Sequence, residues 1–305
     1  MRRDRVAVLV AAVLITAAAC GDDASSTGTP NAAAGWTTVW SDGFDGPAGS
    51  PVDSKNWLHS TGTGYQGGAA NWGTGEVEVM TDKIENSHLD GQGRLAITPI
   101  REASGRWTSA RLETRRTDFQ PPAGGVLRVE ASIQQPAVTG PEALGYWSAF
   151  WMLGGPSRAV ASRNWPGIGE MDIMEVANGL STVFGTLHCG VAPGGPCGES
   201  DGISSGAHEV PDQRSGFHTY AIEWDRSVQP EAIRWYVDGT QYHEVKADKV
   251  DAQTWRNATG HGYFVILNVA IGGQFPVNNG GIQAASTKSG APMLVDKVTV
   301  SSRTP

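Results

Sequence analysis

Gly169-Glu-Met-Asp-Ile-Met-Glu175 sets three carboxylates, Glu170, Asp172 and Glu175, into an otherwise apolar stretch. Met171, Ile173, Met174 and Val176 make it read as a buried strand, and buried strands rarely carry acids. The spacing also breaks the strand period. Alternate residues share a face, so positions 170, 172 and 174 point one way and 175 the other. One extra residue near Ile173-Met174, a β-bulge, returns Glu175 to the face of Glu170 and Asp172. The stretch therefore predicts a bulged strand within a sheet.

With the bulge in place, four ladder steps separate Glu170 from Glu175, roughly 13 Å between α-carbons. Side chains leaning together bring the carboxyls toward the roughly 5–5.5 Å of a pair that cleaves a glycosidic bond with retention. In that chemistry one carboxylate attacks and the other must hold a proton. Burial and nearby negative charge both keep a carboxyl protonated. Asp172, between the two, supplies charge and is expected to hydrogen-bond and orient Glu170. The competing readings are a solvated acidic strand and a calcium-binding stretch. Acidic calcium loops usually carry Asn, Gly and Ser between their acids, whereas Met and Ile stand here.

The rest of the 305-residue chain suits one large β domain. Forty Gly and 17 Pro with 39% hydrophobic residues favour many short strands joined by turns. No stretch shows sustained helical periodicity. Alternation marks strands at 76–80, 94–98, 126–131, 218–224 and 233–237, with Asp238-Gly239 a tight-turn signal after the last. Phe264 to Ile271 is almost continuously apolar, as befits a central strand buried on both faces. The pattern indicates an all-β sandwich or jelly roll. A net charge of −8 argues against nucleic acid as a partner.

Glu-Met-Asp-Ile-Met-Glu resembles the Glu-x-Asp-x-x-Glu signature of glycoside hydrolase family 16, in its bulged laminarinase form. Trp40-Ser-Asp-Gly-Phe-Asp-Gly46, Thr108-Ser-Ala-Arg111, Gly145-Tyr-Trp-Ser-Ala-Phe-Trp-Met-Leu153, Asn164-Trp-Pro-Gly-Ile-Gly169, Thr186-Leu-His188, Ile233-Arg-Trp-Tyr-Val-Asp-Gly239 and Leu267-Asn-Val-Ala-Ile-Gly-Gly273 are similar to family blocks in the right order. The resemblance spans about residues 36 to 301. It implies a concanavalin-like β-jelly-roll sandwich with a concave substrate cleft. It also implies Glu170 as nucleophile, Glu175 as general acid/base, Asp172 as the assisting residue, and retaining endo-hydrolysis of a laminarin-type β-1,3-glucan. The alternatives on the same scaffold are mixed-linkage 1,3-1,4-glucanase, galactan hydrolase or transglycosylase activity. A non-catalytic β-glucan-binding protein is the alternative from another class, and a structural envelope lipoprotein a more distant one. No cofactor is expected for catalysis.

Flat aromatic faces stack on sugar rings, which makes Trp147, Trp151 and Trp165, flanking the acids, candidate substrate contacts. Trp224 and Trp235 read as core. Asn71 and Trp72 lie on a glycine-rich loop, and exposed loop aromatics often bind ligands. The resemblance adds Arg111 as a cleft residue bonding sugar hydroxyls and places His188 beside the acid/base, bonding Glu175 or a sugar hydroxyl. Asn268, polar in an apolar strand, needs partners; a structural bond and a cleft role both fit. The resemblance also implies one structural calcium on the convex side, at Gly93 and Asp296 with a backbone oxygen near Gly43.

At the N-terminus, Met1-Arg-Arg-Asp-Arg5, the apolar run Val6 to Ile15 and the small residues ending Ala17-Ala-Ala-Cys20-Gly21 read as a signal peptide over 1–19. The end of it resembles a bacterial lipobox, with Cys20 lipidated. Ala17 departs from the larger aliphatic residue usual there, and plain cleavage near Ala19 is the alternative. Residues 20–35 then form a polar tether, and 36–305 the catalytic domain. The expectation is an exported monomer on the outer face of the membrane, held only by that lipid, or else secreted. With Cys20 modified, Cys189 and Cys197 remain, eight apart in a Gly/Pro-rich loop, and predict a disulfide. A two-thiol metal site beside His188 is the weaker reading, since the Cys-x-x-Cys spacing is missing.

Overall fold

The computed structural model describes residues 35–304. The signal peptide, Cys20 and all of the tether except Gly35 lie outside the described residues. Two antiparallel sheets face each other. One runs in the order Ile203–Ser204, Thr182–His188, Glu170–Ala177, Tyr146–Gly154, Tyr263–Ile271, Arg111–Thr114, Trp57–His59. The other runs Thr240–Lys246, Ala232–Val237, His218–Asp225, Val126–Gln134, Met293–Arg303, Leu95–Ile97, Ser87–Leu89, with Thr37–Asp42 also paired to Met293–Arg303. This is the expected jelly-roll sandwich. Period-2 alternation explains its interior: Phe150, Met152, Met171, Met174, Val265 and Leu267 from the first sheet pack with Val129, Ile133, Tyr220, Trp224, Ile233 and Trp235 from the second. Trp224 and Trp235 are core, as expected.

Tyr263–Ile271 is buried along its whole length in the middle of the first sheet. Asp238 and Gly239 both have positive φ, 49° and 78°, and close the hairpin between Ala232–Val237 and Thr240–Lys246. The predicted strand over 76–80 shrinks to Val79–Met80. Its acids face inward and bond elsewhere: Glu78 Oε2 accepts from Ile271 N–H at 2.7 Å, and Glu76 Oε1 from Thr74 O–H at 2.7 Å. The eight-residue helix Ala252–Thr259 escapes the periodicity. Its start is marked only by the Asp251 side chain, which accepts from the N–H groups of Gln253 and Thr254. Cys189 and Cys197 form the expected disulfide, with α-carbons 5.5 Å apart.

The bulge is present. Met174 pairs with Phe150 and Asp172 with Trp151, leaving Ile173 as the extra residue. On the other edge Asp172 pairs with Thr186 and Glu175 with Phe184. A bulge removes backbone groups from the ladder, and buried carbonyls then need other donors. The opposite sheet supplies them. Trp235 Nε1–H donates to the Asp172 carbonyl at 2.7 Å, and the Tyr242 hydroxyl to the Ile173 carbonyl at 3.4 Å. Gly185 makes room for both: a Cβ there would lie 2.5 Å from Trp235 Cδ1 and 2.6 Å from the Tyr242 hydroxyl.

Trp235→Phe keeps an aromatic ring but leaves the Asp172 carbonyl buried and unpaired, so a loss of about 1–3 kcal/mol is expected in chemical denaturation. Unchanged stability would show that the bulge does not depend on this bond.

Candidate active site

Because paired residues share a face, the register orders the concave side chains into rows. His188, Glu170, Leu153 and Phe264 form one. Thr186, Asp172, Trp151, Ile266 and Glu113 form the next, and Phe184, Glu175, Ala149, Asn268 and Arg111 a third. Glu170 and Glu175 lie opposite Leu153 and Ala149, four residues apart on the neighbouring strand. The bulge thus sets all three acids on one face, about 13 Å from end to end along the backbone. Gly169 turns the chain into this strand. Its φ is +83°, and a Cβ would meet the Tyr263 hydroxyl and the Ala258 carbonyl.

The electrostatics separate the two glutamates. Burial, then the charge of Asp172, pushes Glu170 up to about 8, while His188 and Arg111 pull it back. Burial and Asp172 also hold Glu175 well above the usual carboxylate range. Against this act His188 and the Trp147 indole, which donates to Glu175 Oε1 at 3.0 Å. Glu170 therefore has two cations drawing it toward ionisation and Glu175 only one. Burial alone would lower the His188 imidazole, but Asp172 and Glu199 overcome it and hold the ring well above its ordinary range.

Two expectations are corrected here. Among the described residues His188 makes no hydrogen bond to Glu175, the first of its two expected partners. It pairs in register with Glu170, and its Nε2 lies 3.2 Å from Asp172 Oδ2 and 4.0 Å from Glu170 Oε1. Its Nδ1 lies 2.7 Å from Glu199 Oε2. The bulge moves Glu175 one residue farther along the strand, to a position opposite Phe184. Nor does Asp172 hydrogen-bond Glu170 among the described residues. Both are acceptors when ionised, and Asp172 turns to the imidazole instead.

The remaining candidates form a buttressed wall. Trp151 Nε1–H donates to Asn268 Oδ1 at 2.8 Å, which gives the buried Asn its partner. Arg111 is only 4% exposed. Its guanidinium carbon lies 4.4 Å from the Trp72 ring centre and 4.7 Å from that of Trp151, and it donates to Glu113 and to the Tyr65 hydroxyl. Trp72 has φ +55° and meets Tyr65 edge-on; Asn71 is exposed, with φ +50°. Trp165 packs against His188, ring centres 5.6 Å apart.

Sequence reasoning missed Tyr65, Glu113 and Glu199. Tyr65 is an aromatic on a glycine-rich loop and Glu113 lies two residues beyond Arg111 on the same strand, so both signals were available. Glu199 carries none. It reaches His188 through the turn beyond Cys197, where its Oε1 also accepts the Cys189 N–H at 2.8 Å. Far from the acids, Gly43, Gly93 and Asp296 line one cleft with Asp45 and Lys297. A Cβ on Gly93 would sit 3.7 Å from Asp45 Oδ1 and 3.8 Å from the Gly43 carbonyl oxygen. Gly43, Asp45, Gly93 and Asp296 offer oxygen donors to this cleft, as a hard cation such as calcium requires.

Glu170 keeps its proton to about pH 8 in the folded chain and loses it near 4.5 when unfolded. The folded state binds more protons in that window, so stability falls as pH rises through it. Glu170→Gln cannot ionise and should flatten the decline, so that the variant gains on the parent in thermal melts between about pH 5 and about pH 8. Parallel declines would contradict the shift.

Residues 101–271 match the profile of Glycosyl hydrolases family 16. The fold superposes with TM-score 0.88 on the endo-1,3-beta-glucanase of Streptomyces sioyaensis, at 58% identity, covering 91% of this chain and 100% of that one. The beta-glucanase of Rhodothermus marinus is 35% identical over 297 residues, 94% of this chain and 91% of its own length. The clotting factor G alpha subunit of Tachypleus tridentatus is 32% identical over 270 residues; these cover 87% of this chain but only 34% of that larger protein. The acids, the bulge that aligns them and these matches agree: the chain belongs to glycosyl hydrolase family 16.

Proposed function

We propose that the chain is a retaining endo-hydrolase of β-1,3-glucan. The observation that carries this reading is the bulge at Ile173, which brings Glu175 onto the face of Glu170. Relatives named as endo-1,3-beta-glucanase and glucan endo-1,3-beta-glucosidase support the substrate. In the first step Glu170 attacks the anomeric carbon while Glu175 protonates the departing oxygen. In the second Glu175 takes a proton from water, whose oxygen attacks the anomeric carbon and displaces the Glu170 carboxylate. The imidazolium of His188 and the guanidinium of Arg111 both draw Glu170 toward ionisation, whereas only the imidazolium acts on Glu175, so Glu170 gives up its proton first and Glu175 is left as the acid. Asp172, paired with His188, fixes that cation beside the nucleophile. Trp147, Trp151, Trp165, Trp72 and Asn71 offer sugar-stacking and hydrogen-bonding groups, and Arg111 holds two of those rings in place.

The cradle of Gly43, Asp45, Gly93 and Asp296 would hold one calcium ion, whose contribution is to the stability of the outer sheet. We also read the chain as an exported monomer anchored through lipid on Cys20. The arginine-rich start, the apolar run and the small residues before Cys20 support this, and the disulfide suits an oxidising compartment. No helix among the described residues is long and apolar enough to cross a membrane.

Glu175→Gln should lower kcat on laminarin by about 10²–10⁴-fold, with Glu170→Gln at least as severe. Digestion by the parent chain should yield oligosaccharides of several lengths, faster from laminarin than from mixed-linkage glucan. Near-normal turnover by either variant would overturn the mechanism. Trp147→Phe removes a donor that favours ionised Glu175. Its carboxyl should therefore rise, and the basic limb of the kcat/KM profile should move to higher pH.

A further inference from the structure

One end of the acid row has the makings of a coordination site. Glu170, Asp172 and His188 each present one ligand atom, and the three atoms lie within 4.8 Å of one another. His188 Nε2 and Asp172 Oδ2 are 3.2 Å apart. Ligands about 2.0–2.1 Å from a tetrahedral metal stand about 3.3–3.4 Å from each other, so this edge is nearly formed. Glu170 Oε1, 4.0 Å from the same nitrogen, is on a mostly buried side chain that keeps some exposure.

A second observation points to a ligand. Asp172 is 96% buried, and its Oδ2 has no well-aligned hydrogen bond among the described residues, only the ion-pair contact with His188 Nε2 at 3.2 Å. A buried acceptor without a well-aligned donor is under-satisfied and has capacity for a further partner. The outer layer is built as well. Glu199 Oε2 meets His188 Nδ1 at 2.7 Å, and Glu199 Oε1 is held by the Cys189 N–H at 2.8 Å. A carboxylate on the far nitrogen orients a histidine ligand and strengthens its other nitrogen as a donor. The disulfide Cys189–Cys197 ties down the loop that delivers this carboxylate.

We propose that Glu170, Asp172 and His188 bind one divalent transition-metal ion of the zinc or copper class, which displaces the protons of the imidazolium and of Glu170, with the fourth position open to the cleft. One imidazole nitrogen and two carboxylate oxygens suit these borderline ions, whereas calcium and magnesium prefer oxygen donors alone. That distinguishes this site from the oxygen cradle at Gly43 and Asp45. A consequence rests on the function proposed above: with its carboxylate on the metal, Glu170 cannot attack, so the ion inhibits hydrolysis reversibly.

The binding arm of the test needs no substrate. Calorimetric titration of the disulfide-intact chain with Zn²⁺ alone should show one ion per chain. Glu170→Gln and His188→Ala should each weaken it at least about tenfold, and Glu199→Gln by about 10–100-fold. Asp45→Asn should change nothing, and thermal melts should show every variant folded. Absence of binding at millimolar Zn²⁺, or binding indifferent to Glu170→Gln and His188→Ala, would overturn the site. In the activity arm, Zn²⁺ should inhibit laminarin hydrolysis and a chelator restore it. Binding without inhibition would leave the metal site standing and overturn Glu170 as the nucleophile.

Discussion

The extra residue at Ile173 is the constraint on which the rest of the structure depends. Without it Glu175 would face the core, where an unpaired carboxylate is far too costly to hold. With it, two backbone carbonyls leave the ladder inside the sandwich. Trp235 and Tyr242 answer from the opposite sheet, and Gly185 leaves space for them. The face that carries the three acids is therefore supported by side chains rooted in the opposite sheet. This ties the position of Asp172, and through it His188 and Glu170, to packing across the whole core.

The charges follow a similar logic. Glu170, Asp172, Glu175 and Glu199 lie within reach of one imidazole. Burial raises the first three, and the histidine opposes it. Such a cluster weakens the folded state as the carboxyls ionise, and a chain selected for stability alone would not keep it. The arrangement makes sense as a device that lets one glutamate ionise before the other in the same cleft.

Much of this was legible in the sequence, for definable reasons. The bulge follows from a clash between period and chemistry inside six residues, and Tyr263–Ile271 from unbroken apolarity. The core and cleft tryptophans separate by strand register: Trp147 and Trp151 share a face with Ala149 and Leu153, while Trp235 points inward. What was not legible depends on closure in three dimensions. Glu199 reaches His188 through the loop that the Cys189–Cys197 disulfide closes, and no local spacing announces it. The placement of His188 beside Asp172 rather than Glu175 depends on pairing between two strands, which the single-strand pattern does not contain. The helix at Ala252–Thr259 has an N-cap but little else to distinguish it from a loop.

The aromatic wall extends the argument from the acids to the substrate. Arg111 is a buried cation, and its salt bridge to Glu113 alone is weak grounds for burying it, because desolvation offsets the attraction. Its position is better explained by the rings. The guanidinium lies between Trp72 and Trp151 and bonds Tyr65, so one planar group fixes three aromatic side chains at once. Trp151 is fixed a second time by Asn268, whose carbonyl takes its indole N–H. A ring already immobilised loses little entropy when a sugar stacks on it. If sugars stack on this wall as proposed, the polar residues buried beneath the cleft would act on affinity through preorganisation, as Trp235 and Tyr242 would act on the acids through the bulge.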